Sequence, residues 1–300
     1  MLLRTGTSKK TPQGCGGFFL PLSSSTQLPP PTSVPIFNPD MKKLLEETIA
    51  ATREAGALTL QYFGGQYETE DKGNGDPLTT ADLAADAYLK KALLALRPDC
   101  GWLSEETVDD HQRLEREAVW IVDPIDGTRE FVEGLPEYVV AVALVEAGAP
   151  TLAVIFNPVL DQLCAAIKDG GTFLNGQRVF CSELQTLDKA TATVSRSEVK
   201  RGEIDAYKPH LHEIRPVGSV AYKLALAAAG ACDLNFSVQP KNEWDICAGD
   251  LLVREAGGHM LERSGQVRTY NQRDPVINGG LAAGNEDLVA QILHHMQEQS

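Results

Sequence analysis

The sequence predicts an α/β (α+β) fold with two sheets, and three observations support this class. Its 300 residues, 43% of them apolar, can form one large or two medium domains with a real core. Between residues 138 and 176, short apolar stretches alternate with tight turns, which predicts an antiparallel meander. Beyond about Cys181, strand-like and helical segments alternate, which favours a mainly parallel second sheet.

The first half of the chain is predicted to open with two helices. Apolar or small residues recur at three- and four-residue steps from Met41 to Phe63, and a pair of glycines ends that helix. A second helix is expected from about Thr80 to Leu96, before a proline. The strands expected next are 101–103, 119–122, 138–145, 152–156 and 163–167, with a hairpin turn at Asn175-Gly176.

The second half contains the alternating segments. Its expected strands are 191–195, 233–238, 259–262 and 276–283, and its expected helices are 220–229, 245–256 and 285–295. We therefore expect an N-terminal α+β lobe at 41–182 and a C-terminal α/β lobe at 183–300. Residues 1–40 hold seven of the 17 prolines and a serine run. We expect a disordered or spurious extension there, with Met41 as the true start, and a transit peptide as the alternative.

Charge and cysteine usage argue against several classes of function. A net charge of −14 disfavours the binding of a nucleic acid polymer, because phosphate backbones are held by basic patches. No apolar run approaches the roughly 20 residues that cross a bilayer. The six cysteines are scattered without a C-x-x-C pair, which is typical of reduced thiols in a cytoplasmic protein rather than of a disulfide frame or a zinc site. No pattern predicts the oligomeric state.

One stretch, residues 120–131, carries most of the chemistry. A strand-like apolar run ends at Asp123, a proline follows, and Asp126 comes three residues after the first acid. Two acids at the end of a buried strand are costly unless a positive group holds them, and hard divalent cations prefer oxygen ligands. Gly127 and Thr128 then open a short helix, where free backbone N–H groups favour a phosphate. The stretch therefore predicts a metal ion beside a phosphate.

Three further acids stand in suggestive positions, and each has a simpler structural explanation. Glu105 follows a strand-like segment, where a solvated acidic turn is the alternative. Asp245 lies at the start of a predicted helix, where a helix cap is the alternative. Asp82 lies three residues after Thr79, which is the spacing of a capping box. Taken alone, Glu105 and Asp245 favour the structural explanation, whereas for Asp82 both explanations stand.

The string Asp-Pro-Ile-Asp-Gly-Thr at 123–128 resembles the signature of the inositol monophosphatase-like family of magnesium-dependent, lithium-sensitive phosphatases. The pair Trp244-Asp245 and the segment around Glu105 resemble the family's other motifs in the expected chain order, which lowers the weight of their structural explanations. The resemblance covers roughly residues 41–297. It implies a layered αβαβα sandwich, the sugar-phosphatase fold, with the site between two lobes. It also implies two or three Mg²⁺ ions as cofactors.

The resemblance implies a role for each residue of the expected site. Asp123 would bridge two ions, and Thr128, backed by an acid, would take the proton of the attacking water. The implied sets are the metal ligands Glu105, Asp123, the Ile125 carbonyl, Asp126 and Asp245, the catalytic residues Asp82, Glu105 and Thr128, and the substrate-binding residues Gly127, Thr128, Arg129, Ser219 and Lys223. Lys72 and Asp76 fall where the family has loop residues that approach a third ion.

The residues after the signature bear on the substrate. Arg129 and Glu130 resemble the Lys-Glu pair of the 3′(2′),5′-bisphosphate nucleotidases, and Ser219 with Lys223 resembles the same branch. We therefore expect hydrolysis of 3′-phosphoadenosine 5′-phosphate, the by-product of sulfate activation and sulfotransfer, to AMP and phosphate. Arg129 is not lysine, however, and residues 239–242 depart from that branch. The alternatives are an inositol-1-phosphate phosphatase and a catalytically silent, metal-binding regulatory relative.

Overall fold

The structure, a computed structural model, describes residues 39–65, 67–71 and 77–299. Lys72, Asp76 and all of the expected extension before Pro39 lie outside the described residues. The first helix begins at Pro39, two residues before the expected start of the fold. No helix in the described ranges combines the length and apolar character needed to cross a bilayer. The cysteines in these ranges are buried and free, as expected.

Apart from a short helix at Arg196–Lys200, which was not expected, the helices of the described residues agree closely with the expected ones. Their bounds are α1 Pro39–Tyr62, α2 Thr80–Leu96, α3 Thr128–Glu133, α4 Arg196–Lys200, α5 Val220–Ala228, α6 Glu243–Glu255 and α7 Glu286–Glu298. Short 3₁₀ turns occupy Gln112–Glu115, Leu187–Lys189 and Asp205–His210. Helix α6 begins two residues before the expected start at Asp245, so this acid lies inside the first helical turn.

The strands of the described residues form two large sheets and two short ribbons. The larger sheet contains β3 Gly101–Ser104, β4 Ala118–Asp126, β5 Val139–Glu146, β6 Ala149–Asn157, β7 Gln162–Ile167, β8 Gly171–Leu174 and β9 Gln177–Val179. The smaller sheet contains β10 Thr191–Ser195, β11 Glu213–Val217, β12 Leu234–Ser237, β14 His259–Glu262 and β16 Leu281–Gly284. The ribbons pair β1 Thr69–Asp71 with β2 Pro77–Thr79, and β13 Lys241–Asn242 with β15 Val276–Ile277.

The seven-stranded sheet is covered on both faces by helices. Its strands follow chain order, and all neighbours are antiparallel except β3 and β4. Alternate residues of β4 point to opposite faces. Trp120 and Val122 belong to a buried cluster with α1 and α2, whereas Val119 and Ile121 belong to a cluster with α5 and α6. Because both faces are covered, all nine residues of β4 are buried.

The five-stranded sheet is mixed rather than mainly parallel. Strand β10 is parallel to β11 and β12, but β16 runs antiparallel to β12 and β14. Residues from β14 and β16 join the cluster around α5 and α6, while the opposite face packs against α7. The succession is therefore helices, sheet, helices, sheet, helix, which confirms the αβαβα sandwich. The boundary between lobes at residue 182 stays a prediction.

The expected strand 276–283 is interrupted. Its first part, Val276–Ile277, pairs with β13, and its last part belongs to the five-stranded sheet. Gly279 and Gly280 lie between them with φ of +92° and +88°, a left-handed conformation that breaks an extended strand. A Cβ on Gly280 would overlap the backbone of Ser237. These two glycines allow one chain segment to serve both a ribbon and a sheet.

Candidate active site

The two acids of the signature lie where β4 loses its regular pairing. The register against β5 shifts between Asp123 and Asp126, and Pro124 between them has no N–H to donate to a ladder. The Ile125 N–H instead donates to Asp123 Oδ1 at 3.1 Å. Asp123 and Asp126 are 1% and 8% exposed, so both carboxylates are withdrawn from bulk water. Burial of two acids so close together requires compensating donors or cations.

The chain leaves β4 through Gly127, which is the N-cap of helix α3. Its φ is +98°, and a Cβ there would lie 3.0 Å from the Glu137 carbonyl oxygen, so a side chain would be both strained and crowded. Thr128 follows as the first helical residue and is buried. The tight turn brings the Thr128 hydroxyl back to the end of the strand, 3.1 Å from the carbonyl oxygen of Ile125.

Asp82 closes the predicted capping box and also contacts Thr128. Its Oδ2 accepts hydrogen bonds from the backbone N–H and the hydroxyl of Thr79, at 2.8 and 2.5 Å, and this closes the capping box of α2. Its Oδ1 lies 3.2 Å from the Thr128 hydroxyl. That hydroxyl has one proton to donate, to Asp82 or to the Ile125 carbonyl. One fully buried carboxylate therefore starts a helix and contacts the candidate catalytic threonine.

A cavity of about 600 Å³ lies next to the end of β4 and is strongly charged. It has acidic and basic lining residues from several separate elements. The acidic residues are Glu105, Asp123, Asp126, Glu130, Glu133 and Asp245. The basic residues are Arg129, Arg196, Lys200, Lys223 and Lys241. The fold thus brings Glu105, Asp123, Asp126 and Asp245, which are far apart in the chain, to a single pocket.

Asp245 closes the first turn of α6 and also lines the pocket. Its Oδ2 accepts the Asn242 N–H at 2.8 Å in a capping box, so the helix-cap explanation is correct as far as it goes. Burial, followed by the charges of Asp126 and Glu105, raises the pKa of Asp245 to about 8. A capping role alone does not explain the raised pKa of Asp245, because an isolated acid that caps a helix keeps its ordinary pKa or has a lower one.

Asp126 is held by donors from the second half of the chain. Its Oδ2 accepts the Ser219 hydroxyl at 2.7 Å and the Ala221 N–H. Burial raises its pKa, while the Ser219 bond and the nearby Lys223 charge oppose that rise. The increase that remains shows that these donors do not fully compensate the buried carboxylate. The site therefore carries more negative charge than its own hydrogen bonds neutralise.

The donor chemistry of the pocket fits a hard divalent cation. Its candidate ligands are all oxygen atoms, as Mg²⁺ prefers, and burial together with the charges of Asp126 and Glu105 raises the pKa of Asp245. Within the described part of the chain, no three acidic, histidine or cysteine side chains converge closely enough to hold an ion as they stand. Glu105, Asp123, Asp126 and Asp245 stay the predicted ligand set.

Two of the predicted substrate residues are already engaged within the protein. The Ser219 hydroxyl accepts the Tyr222 N–H at 3.0 Å and donates to Asp126. Lys223 is 2% exposed, and its ammonium donates to the carbonyl oxygens of Val217 and Ser219 at 3.2 and 2.6 Å. Its burial lowers its pKa to about 8. Arg129, by contrast, is exposed at the pocket.

Sequence reasoning missed a further cationic segment, Arg196 to Lys200. This segment is helix α4, which directly follows β10 and contributes Arg196 and Lys200 to the pocket. Ligand sites are common beyond the carboxyl ends of parallel strands, so the position after the expected strand 191–195 was a usable signal. Glu137, which contacts Arg196, was also missed, because a single acid before an apolar strand has no distinctive pattern.

Comparison with known proteins supports this fold. Residues 40–299 match the inositol monophosphatase family. An inositol-1-monophosphatase of Rhizobium meliloti is 33% identical over 254 residues, which cover 82% of this chain and 92% of the relative. The Nus factor SuhB of Xylella fastidiosa is 34% identical over 228 residues, which cover 72% of this chain and 81% of the relative.

A solved structure gives the same result in three dimensions. The structure of a Thermotoga maritima IMPase superposes with a TM-score of 0.76 at 29% identity, covering 85% of this chain and 97% of that one. The chain belongs to the inositol monophosphatase family, a family of metal-dependent phosphatases.

Proposed function

We propose that this protein is a Mg²⁺-dependent phosphomonoesterase whose first candidate substrate is inositol 1-phosphate. The observation that carries the proposal is the acidic pocket, in which burial and neighbouring carboxylates raise the pKa of Asp245 to about 8. Such repulsion is relieved by a cation, and a phosphate monoester is an anion that needs cations to approach carboxylates. The expectation that put the bisphosphate nucleotidase first has less support, since several of the similar proteins are named inositol monophosphatases.

The proposed roles follow the positions of the oxygen atoms. Glu105, Asp123 and the carbonyl of Ile125 would hold one ion, and Asp126 with Asp245 would hold a second, with Asp123 between them. Bound Mg²⁺ neutralises phosphate oxygens and lowers the pKa of water.

The remaining roles fall to the turn after β4. The Thr128 hydroxyl, 3.2 Å from Asp82, would accept the proton of the attacking water as it passes its own proton to that carboxylate. The backbone N–H groups of Gly127 and Thr128 would donate to the phosphate oxygens.

The second candidate function is hydrolysis of a substrate with two phosphate groups, such as 3′-phosphoadenosine 5′-phosphate. The observation in its favour is the set of cations that line the same pocket: Arg129, Arg196, Lys200 and Lys241. The positive charge of these side chains would attract a second phosphate group. Lys223 weakens the case, because backbone carbonyls already occupy its ammonium.

A regulatory role without catalysis is the third possibility, since one relative is named a Nus factor. The intact acidic set and the contact between Thr128 and Asp82 favour catalysis instead. These groups have little use in a protein that only binds a partner, because buried uncompensated carboxylates lower stability.

A substrate panel tests the proposal. We expect Mg²⁺-dependent phosphate release with kcat/KM for inositol 1-phosphate at least about tenfold above that for 3′-phosphoadenosine 5′-phosphate. The opposite preference would reinstate the nucleotidase. Absence of phosphate release from both esters, and from a generic monoester such as p-nitrophenyl phosphate, would favour the regulatory role. Millimolar Li⁺ should inhibit the release, as the family resemblance implies.

A further inference from the structure

We propose that Glu137 is a positioning residue: with Arg196, it holds the Gly218–Ser219 turn and thereby orients the Asp126 carboxylate toward the metal site. The inference rests on the proposed function in one respect, namely that Asp126 is a metal ligand. Glu137 lies just before β5 in the first half of the chain, whereas the residues it binds lie in the second half. It is not one of the residues that the resemblance implies for the site.

Glu137 joins two separate elements of the second half of the chain. Its Oε1 accepts a hydrogen bond from Arg196 Nη2 at 2.7 Å, and its Oε2 accepts one from Arg196 Nη1. The same Oε2 accepts the backbone N–H of Gly218 at 2.7 Å. A bidentate arginine pair is both strong and directional, so the carboxylate is fixed in one orientation. The Gly218 N–H is therefore bound to an immobile acceptor.

Gly218 is clamped from a second direction. A Cβ at this position would overlap the side chain of Glu130, which would have to move away, so glycine lets the turn approach helix α3 closely. Glu130 also lies 3.8 Å from Arg196, on the same guanidinium that binds Glu137. The turn is thus enclosed by Glu130 packed against its Cα and by Glu137 bound to its N–H.

The residue that this clamp holds in place is strained. Ser219 has φ of +57°, a left-handed value that is uncommon for a residue with a Cβ. A residue stays in such a conformation only where its surroundings determine it. Here the strain has a consequence, because it directs the Ser219 hydroxyl to Asp126 Oδ2 at 2.7 Å and allows the Ala221 N–H to reach the same oxygen.

The chain of contacts therefore runs from Glu137 through Gly218 and Ser219 to Asp126. Burial acts to raise the pKa of Glu137, but the bonds from Arg196 and Gly218 outweigh it and lower this pKa below the ordinary value. Glu137 is then ionised at neutral pH and stays available as an acceptor. Removing its carboxylate would leave Ser219 free to relax, and one oxygen of Asp126 would lose its fixed donor.

The test measures Mg²⁺ binding by calorimetry without substrate, on Glu137→Ala, Glu137→Gln and the wild type. We expect Mg²⁺ affinity to fall about tenfold in Glu137→Ala, since outer contacts of metal ligands typically have effects of this order. Glu137→Gln should recover part of the loss, because its amide oxygen can still accept the Gly218 N–H. At saturating Mg²⁺, kcat of Glu137→Ala should remain below that of the wild type, while KM for the ester should change less than about twofold.

Glu255→Ala is the matched control. Glu255 is also a half-buried carboxylate that accepts two backbone N–H groups from another element, those of Asp169 and Gly171 at 2.7 and 2.8 Å. It ends α6, about 15 Å along the helix from Asp245 by the helical rise. Its loss should lower the melting temperature as Glu137→Ala does, but leave Mg²⁺ affinity unchanged.

The outcomes separate this inference from the proposed function. If Glu137→Ala binds Mg²⁺ like the wild type, or if Glu255→Ala weakens binding equally, Glu137 is only a structural residue and the inference is wrong. Should Glu137→Ala not fold, the comparison of Glu137→Gln with the wild type decides. If the wild type binds Mg²⁺ but does not hydrolyse inositol 1-phosphate, the proposed substrate is wrong while calorimetry still decides the role of Glu137.

Discussion

Two strand ends meet at the pocket, and they differ in burial and in charge. The end of β4 carries Asp123 and Asp126, which are almost fully buried and fixed by the register shift against β5. The segment after β10 is helix α4, in which Arg196 is half-buried and Lys200 is exposed. In the proposed function, the buried end would act on any phosphate ester, whereas the exposed end would distinguish one ester from another.

We infer from this difference which part of the chain encodes the reaction chemistry and which part encodes substrate preference. Reaction chemistry requires several oxygen atoms at fixed positions, and a covered strand end supplies them because its backbone cannot move. Substrate preference requires only a favourable charge at the rim, and exposed side chains supply it at little cost to stability. The three predictions below test this division, beginning with the buried end.

Substitution of Asp123 by Asn should have the largest effect. The change keeps the acceptor for the Ile125 N–H, but removes the charge that would bridge two ions. We expect kcat/KM to fall at least about a thousandfold on every substrate, because several kcal/mol of charge stabilisation are lost. Steady-state phosphate release measures the effect, and circular dichroism checks the fold. Unchanged hydrolysis by this variant would show that the strand end does not carry the chemistry.

The pH dependence of Mg²⁺ affinity should be the next largest effect. The pKa of Asp245 is raised from 3.8 to about 8, so the folded chain without metal keeps a proton that the unfolded chain loses. Between about pH 4 and pH 8 this lowers the stability of the metal-free protein as pH rises. A cation that binds the carboxylate must displace that proton.

Mg²⁺ affinity should therefore rise by more than about tenfold between pH 6 and pH 8. Asp245→Asn is the control, because its amide oxygen can still accept the Asn242 N–H and keep the cap of α6. In this variant the slope against pH should be clearly flatter. Calorimetric titrations at three pH values measure it, and equal slopes in both proteins would mean that Asp245 is not the group that titrates.

The same division explains how much of the molecule the sequence predicts. Asp123 and Asp126 lie three residues apart at the end of an apolar run, so their burial and proximity follow from local pattern alone. The bonds from Glu137 to Arg196 and Gly218 span 59 and 81 residues, and no local pattern predicts them. The burial and proximity of the two acids were therefore predictable, whereas the contacts that hold and surround them were not.

The second sheet shows the same limit for the fold. Hydrophobic periodicity predicts the helices α5, α6 and α7 and four of the five strands of this sheet. It does not predict the direction of a strand, which depends on where each connection crosses the sheet. The expected strand 276–283 is a case in point, because Gly279 and Gly280 divide it between a ribbon and the sheet. Two adjacent glycines commonly interrupt a strand, so the sequence itself indicates this break.

Substitution of Lys200 by Ala should have the smallest effect and the one most specific to the exposed end. Lys200 is exposed at the pocket, so solvent and salt screen its charge. We expect kcat/KM for inositol 1-phosphate to change less than about twofold, and that for 3′-phosphoadenosine 5′-phosphate to fall about twofold to fivefold, with the loss vanishing at high salt. Lys168→Ala, an exposed lysine in a distant turn, is the control and should change neither value. A loss on the bisphosphate beyond about a hundredfold would mean that α4 binds the second phosphate directly, and the nucleotidase would then become the better supported function.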